Sequence, residues 1–359
     1  MPTMWKRDLE AAGRSLQAWL GRRMPAARNV SISELVEPQT SGFSNETLLA
    51  DLSWEEGGAR REESIVIRVQ PTGFTVFPEY DLGLQYRTME LLAAQAIPVP
   101  RLLWLEAEDV EVLGAPFYVM GRVAGRVPPD NPPYHAAGWV TEIAPEERAA
   151  IWWGGIESLA RIHALDYRAA GFAFLETPER GASPLEWQLR YYDRYLEWAG
   201  CGRPQPIAEA ARTWLWKNMP TGEPTRLQWG DARIGNIIFD GVKPAAILDW
   251  EMVTLGSPEA DLAWTIFLDR HHSEGIMTPR LDGFPSYEET IERYERLTGH
   301  RVRHLRYYLI FAGYRFAVIM MRIAQQMVHY GAMDEAGGRN FELDNTVTRL
   351  LEKILGERR

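Results

Sequence analysis

The chain has 359 residues, of which 46% are hydrophobic and 25% charged, and a net charge of −10. That length allows two lobes around a cleft, and the acidic balance excludes the basic footprint that general nucleic-acid binding needs. The single cysteine, Cys201, rules out an internal disulfide and fits a reducing, cytoplasmic compartment.

Trp5, Leu9, Ala12, Leu16 and Leu20 recur at helical spacing with charges between them. Residues 1–23 therefore read as an amphipathic helix packed on the body, not as a secretory signal or a membrane anchor. Short β-type runs follow at 31–37, 46–54 and 63–70, with a Gly57-Gly58 turn between the last two. A helix is expected over 80–95, stopped by Ile97-Pro98-Val99-Pro100, and further strands at 101–106 and 116–119 lead into Gly121-Arg122-Val123-Ala124-Gly125. The first third is thus a small antiparallel sheet with one inserted helix.

From about residue 145 the pattern is mainly helical, with helices expected at 145–165, 184–198, 206–218, 287–298, 302–330 and 344–355. The most apolar stretch, 307–323, is short for a membrane span and is interrupted by Arg315 and Arg322, so it reads as a buried helix. One β-type island interrupts the helices: Ile237-Ile238-Phe239 and Ala245-Ala246-Ile247-Leu248, joined through Asp240-Gly241, form a hairpin. Its two ends bring Asn236 and Asp249 close together, with Asp231 just upstream.

That geometry suits phosphoryl transfer, which asks a protein mainly for positioning and charge neutralisation. An aspartate orients the attacking hydroxyl, while an amide oxygen and a second carboxylate hold Mg²⁺. Asp231 fits the first role, and Asn236 and Asp249 fit the second. On spacing alone, the same residues could equally make turns.

The longer runs Leu227-Gln228-Trp229-Gly230-Asp231-Ala232-Arg233-Ile234-Gly235-Asn236, Ile247-Leu248-Asp249-Trp250-Glu251 and Leu255-Gly256-Ser257-Pro258-Glu259-Ala260-Asp261-Leu262-Ala263-Trp264 are specific. Together with Ser41-Gly42-Phe43-Ser44-Asn45-Glu46-Thr47 and Leu159-Ala160-Arg161-Ile162-His163, they resemble the aminoglycoside phosphotransferase/choline kinase superfamily. The resemblance is closest to the branch typified by the kinase domain attached to some acyl-CoA dehydrogenases, and it spans roughly residues 29–325. It implies an α+β, two-lobed protein-kinase-like fold, with a nucleotide-binding lobe over 1–120 and a catalytic and substrate-binding lobe over 121–359. It also implies ATP and Mg²⁺ as cofactors and a small hydroxyl-bearing molecule as acceptor, with no nucleic-acid or membrane partner. Asp231 takes the catalytic position, and Asn236 and Asp249 take the metal positions. Ser41, Gly42, Ser44, Asn45 and Thr47 form the loop over the nucleotide phosphates. Met120 and Arg122 belong to a hinge (120–123) that offers backbone groups to the adenine edge.

Three positions depart from the family's pattern. Arg68 stands where a phosphate-binding lysine is usual, keeping the charge and adding a planar fork. Gln85 falls where a helix glutamate would pair with it, and Trp229 replaces a histidine before Gly230-Asp231. His163 reads as a structural hydrogen-bonder, Asp261 as a brace for the loop near Asp249, and the adjacent His271 and His272 as solvent-facing. The family supplies two acceptor classes: an amino sugar, for which Glu251, Glu259, Asp269 and Glu274 are candidate acids, and a hydroxyacyl thioester or other hydroxylated metabolite, for which Arg190, Arg194, Arg315 and Arg322 are candidate cations. A kinase-like module that binds nucleotide without catalysis is the competing reading. A protein kinase is the weaker one, since no activation segment is recognisable after Asp249.

Overall fold

The computed structural model describes residues 7–38, 44–176 and 183–357. Helix α1 (Leu9–Arg23) starts where the Asp8 carboxylate accepts the Ala11 N–H at 2.9 Å. It buries Ala12, Leu16, Trp19 and Leu20, one face at helical spacing. That face packs on a five-stranded antiparallel sheet in the order β1-β2-β3-β5-β4, built from β1 (Arg28–Ile32), β2 (Glu46–Glu56), β3 (Ala59–Val69), β4 (Leu102–Glu106) and β5 (Phe117–Gly121). The β2–β3 hairpin turns through Gly57 and Gly58, at φ 61° and 80°, which the tight primed turns require of both central residues. Helix α2 (Leu82–Ala94), capped by Asp81, is inserted between β3 and β4.

The larger lobe comprises α3 (Trp139–Glu142), α4 (Pro145–His163), α5 (Pro184–Gly200), α6 (Pro206–Lys217), β6 (Arg226–Gln228), the hairpin β7 (Ile237–Asp240) and β8 (Lys243–Ile247), and β9 (Thr254–Gly256). It continues with α7 (Glu259–His272), α8 (Tyr287–Thr298), α9 (Leu305–His329), α10 (Glu335–Leu343) and α11 (Thr346–Gly356). This is the two-lobed α+β architecture expected from the sequence. Helix α9 is long and apolar enough to cross a membrane, but 83% of its most apolar window is buried within the protein.

Three features differ from the sequence expectation. Strand β1 begins earlier than residue 31, and residue 36 makes only an isolated bridge with Leu49. Strands β6 and β9 pair as a second small sheet behind the site. Helices α3, α7 and α10 were not foreseen, and α7 buries twelve residues over its length, which leaves no polar stripe to betray a helical period.

The two lobes are joined by more than the hinge. The segment after β3 lies across the helical lobe, where the Arg322 guanidinium donates to the Thr75 carbonyl (2.7 Å) and Tyr195 donates to the Val76 carbonyl. On the far side of the sheet, the Glu106 carboxylate accepts from the Trp19 indole (2.8 Å), the Arg23 guanidinium (2.6 Å) and the Asp109 backbone N–H (3.0 Å). Donation from the Asp109 backbone first, then from Trp19 and Arg23, outweighs burial and lowers the Glu106 pKa from 4.5 to about 2. A lowered carboxylate stabilises the fold above the unfolded-state pKa, and that contribution is lost as pH falls through the folded value. Glu106→Gln should therefore cost about 1–3 kcal/mol at pH 7. In denaturant titrations the gap to the native chain should close between pH 4.5 and about 2; a gap independent of pH would contradict this reading.

Candidate active site

The segment between β6 and β7 is held by the first turns of α7. Asp261 is fully buried, and its carboxylate accepts the backbone N–H groups of Trp229 (2.7 Å) and Gly230 (3.0 Å). It is also bonded to His163 Nε2 at 3.1 Å. A carboxylate only accepts, so Nε2 carries the proton and the Tyr294 hydroxyl donates to Nδ1 at 2.6 Å. His163 is thus a structural hydrogen-bonder, as its pattern suggested, and Asp261 braces residues 229–230 rather than Asp249 directly. Gly230 has φ 92°, and a Cβ there would lie 2.1 Å from the Met252 carbonyl oxygen, so no other residue fits.

Trp229, in the usual histidine position, performs the bracing its replacement put in question. Its indole donates to the Leu248 carbonyl at 2.8 Å and packs beside Trp250, 5.8 Å between rings. Leu248 N–H in turn donates to the Asn236 carbonyl (2.8 Å). Two bonds therefore tie the 229–236 loop to the residue before Asp249. Asp249 itself lies at φ 59°, a left-handed conformation rare outside glycine.

Asp231, Asn236 and Asp249 converge at the foot of the cleft. The Asn236 amide donates to the Asp231 carboxylate (2.6 Å) and to its backbone carbonyl (3.1 Å), which leaves the amide oxygen, the atom a hard cation takes, uncommitted among the described residues. Asp249 Oδ1 is buried without a hydrogen-bond partner among the described residues. Burial first, and the nearby Asp231 charge, raise the Asp249 pKa against the opposing pull of Arg68. A buried carboxylate oxygen with no donor, beside a free amide oxygen, fits a divalent cation.

Arg68 points into this site, not to solvent. Nη2 lies 3.7 Å from Asp249 Oδ1, and Nη1 donates to the Thr47 hydroxyl at 3.2 Å. Burial disfavours its charge, but Asp249, Tyr118 and Glu251 more than offset that, and the pKa is raised. Gln85 does not reach it directly. Tyr118, the cross-strand neighbour of Arg68, hydrogen-bonds the guanidinium and donates to Gln85 Oε1 at 3.4 Å. A neutral relay thus replaces the usual ion pair.

Of the other sequence-predicted residues, Ser44 and Asn45 are buried over the site. Asn45 donates to Glu251 Oε2 at 2.9 Å, and Ser44 also bonds Glu251. Ser41 and Gly42 lie outside the described residues. Met120 sits at the end of β5, buried and paired between β3 and β4. The Arg122 N–H donates to the Ser64 carbonyl (2.8 Å), and its side chain is exposed and joins none of the other site residues. The hinge N–H free of a backbone partner among the described residues is that of Val123. The expectation for Arg122 is corrected accordingly: β3 has already taken its donor.

His271 and His272 are corrected as well. His272 is buried and His271 half-buried; burial first, then the neighbouring imidazole for His271, lowers their pKa values to about 3 and about 4. His272 lies 3.7 Å from Asp130, whose carboxylate pairs with Arg233.

Two residues important to the site, Arg233 and Trp264, were given no role from the sequence, and a third, Glu251, was read only as a candidate acid for an amino sugar. Arg233 Nε contacts both Asp231 oxygens (3.2 and 3.1 Å), the Trp264 indole donates to Asp231 Oδ1 (2.7 Å), and Glu251 links the lobes. Burial first, then Asp249, raises the Glu251 pKa well above the carboxylate range. All three stand inside quoted motifs, but only the fold shows which way they face.

The model of the phosphotransferase enzyme family matches residues 37–298. The chain belongs to that family, within the aminoglycoside phosphotransferase superfamily of kinase-like folds. It is 29% identical over 356 residues to acyl-CoA dehydrogenase family member 11 of Gallus gallus, covering 95% of this chain and 43% of that protein. Against acyl-CoA dehydrogenase family member 10 of Mus musculus, identity is 26% over 302 residues, 80% of this chain and 27% of that one. The chain thus spans less than half the length of these relatives. A structure from Ralstonia eutropha assigned as an aminoglycoside phosphotransferase superposes with a TM-score of 0.65 at 24% identity, covering 95% of this chain and 98% of that one. The ternary complex of aminoglycoside phosphotransferase APH(4)-Ia with AMP-PNP and hygromycin B gives 0.54 at 16%, covering 95% and 98%.

Because Asp261 receives two backbone N–H groups, Asp261→Asn should turn an amide donor on one of them. The expected cost is about 2–4 kcal/mol, read as a fall in melting temperature; an unchanged melting temperature would show that the loop does not depend on this carboxylate.

Proposed function

We propose that the chain transfers the γ-phosphate of Mg²⁺-ATP to a hydroxyl of a small acceptor. The observation that carries this reading is the convergence of Asp231, Asn236 and the donor-free Oδ1 of Asp249 beneath Arg68. In the reaction, the acceptor oxygen bonds to the γ-phosphorus while the β–γ bridging bond breaks. ADP keeps that electron pair, and the hydroxyl proton passes to the Asp231 carboxylate and then to water. Asn236 and Asp249 would hold the divalent cation, which neutralises the phosphate charge as it develops. Arg68, freed from Asp249, supplies a fixed cation for the phosphates, and Ser44, Asn45 and Thr47 close over them from above. The Val123 N–H is the hinge donor left for an adenine edge.

Among acceptors, a hydroxylated metabolite such as a hydroxyacyl thioester is favoured over an amino sugar. An ammonium-rich ligand needs free carboxylates, and the four candidates are engaged elsewhere. Glu259 accepts from the Arg303 and His304 N–H groups and from His300. Asp269 accepts from Tyr134, His135, Arg280 and Tyr287, Glu274 pairs with Arg270 and Lys353, and Glu251 holds Asn45. The likeness to acyl-CoA dehydrogenase family members supports the same choice. The candidate arginines do not assemble into a patch, however. Arg315 is buried against the Gly230 carbonyl, Arg322 is spent on Thr75, and Arg190 pairs with Glu186.

The test is a screen of hydroxyacyl thioesters, other hydroxylated metabolites and aminoglycosides with Mg²⁺-ATP, comparing the native chain with Asp231→Ala. Asp231→Ala should lower kcat on the best acceptor by about 10²–10⁴-fold with ATP binding retained. ATP binding without Asp231-dependent transfer to any acceptor would favour a nucleotide-binding module instead.

A further inference from the structure

The donors around Asp231 fall into two kinds. Arg233 and Asn236 belong to the same loop, and both have other work: Arg233 is shared with Asp130, and the Asn236 amide oxygen is the candidate metal ligand. The Trp264 indole N–H is the donor that arrives from outside the loop, at 2.7 Å from Oδ1. Trp264 is 2% exposed, on a helix buried along most of its length.

Its place on α7 is what gives the contact meaning. Asp261, Trp264 and Thr265, at i, i+3 and i+4, share one helix face. Along that face they address consecutive loop residues. Asp261 takes the N–H groups of Trp229 and Gly230, Trp264 takes the side chain of Asp231, and the Thr265 hydroxyl donates to the Ala232 carbonyl at 2.6 Å. The indole is fixed in turn. Arg315 lies 4.5 Å from its ring while donating to the Gly230 carbonyl (2.9 Å), and Phe316 packs 5.8 Å from it. A benzothienyl ring has nearly the shape of the indole without an N–H, so packing and hydrogen bonding can be separated at this position.

We propose that Trp264 is a positioning residue for phosphoryl transfer: its indole N–H fixes the Asp231 carboxylate in the orientation that receives the acceptor hydroxyl. The proposal rests on the function assigned above, with Asp231 as the group that meets that hydroxyl. A charge-assisted bond of this kind governs how often the carboxylate stands in the reactive geometry, so its loss falls on turnover more than on binding.

The experiment is a double-mutant cycle between Trp264→Phe and Asp231→Asn, with melting temperature and nucleotide affinity measured alongside. Trp264→Phe should lower kcat by about 10- to 100-fold while KM for ATP and acceptor stays within about twofold. In the Asp231→Asn background it should cause no further loss, because a shared function is lost only once. Should W264F not fold, replacing Trp264 by its benzothienyl isostere, with sulfur in place of N–H, carries the same expectation. Full kcat in either variant, an equal loss in both backgrounds, or a rise in acceptor KM at constant kcat would each overturn the proposal. A native chain with no Asp231-dependent transfer overturns the assigned function and this proposal together, whereas full activity without the N–H overturns this proposal alone.

Discussion

The shape of the site depends on one buried carboxylate, that of Asp261. Among the described residues it has no lysine or arginine partner; its donors are two backbone N–H groups and an imidazole N–H. Burying such a charge is costly, and three well-aligned donors are what offset the cost. The constraint acts in both directions. The carboxylate needs Trp229 and Gly230 to present their N–H groups side by side, and that presentation requires the positive φ which only Gly230 supplies at this distance from Met252. The direction in which Asp231 leaves the loop follows from that bend.

From there the order propagates by short covalent and hydrogen-bonded steps. The Trp229 indole reaches the Leu248 carbonyl, and the Leu248 N–H reaches the Asn236 carbonyl, so the segment before Asp249 is held from two sides. A non-glycine residue at φ 59° persists only where its neighbours over-determine it. Asp249 meets that condition, and its conformation leaves a carboxylate oxygen without a hydrogen bond among the described residues, with the Arg68 guanidinium 3.7 Å away. The strain and the missing hydrogen bond share one location, which is what the proposed cation site would require.

The sequence made some of this readable and hid the rest for identifiable reasons. The β2–β3 hairpin, the inserted helix and the β7–β8 hairpin were legible, since alternation and Gly-containing turns are local signals. Helix α7 was not, although Ser257-Pro258-Glu259 to Trp264 lies in a motif that could be quoted letter by letter. With twelve residues buried it shows no amphipathic period, and its N-cap, Pro258, makes no side-chain cap. The consequence was functional. Without the helix, Asp261 and Trp264 could not be placed on one face. His271 and His272, at its far end, looked like surface residues because a two-histidine step carries no information about depth. Arg68 shows the converse case. Its charge was legible, but its setting beside Tyr118 rather than Gln85 depends on cross-strand register, which no single strand encodes.

Arg233 explains how so crowded a carboxylate could still serve the incoming hydroxyl of the proposed reaction. A carboxylate offers about four lone-pair directions, and Trp264, Asn236 and the divided bond from Arg233 occupy them. The Trp264 and Asn236 bonds measure 2.7 and 2.6 Å, whereas Arg233 Nε is split between the two oxygens at 3.1–3.2 Å, the weakest geometry of the set. It is also the contact that costs least to surrender. The other arm of the guanidinium is already paired with Asp130, so its charge keeps a partner when Nε lets go. An acceptor hydroxyl can therefore take the position of Arg233 on Asp231 without unmaking the two bonds that set the carboxylate's direction. The displaced cation stays close to the phosphate charge that phosphoryl transfer would bring to the site.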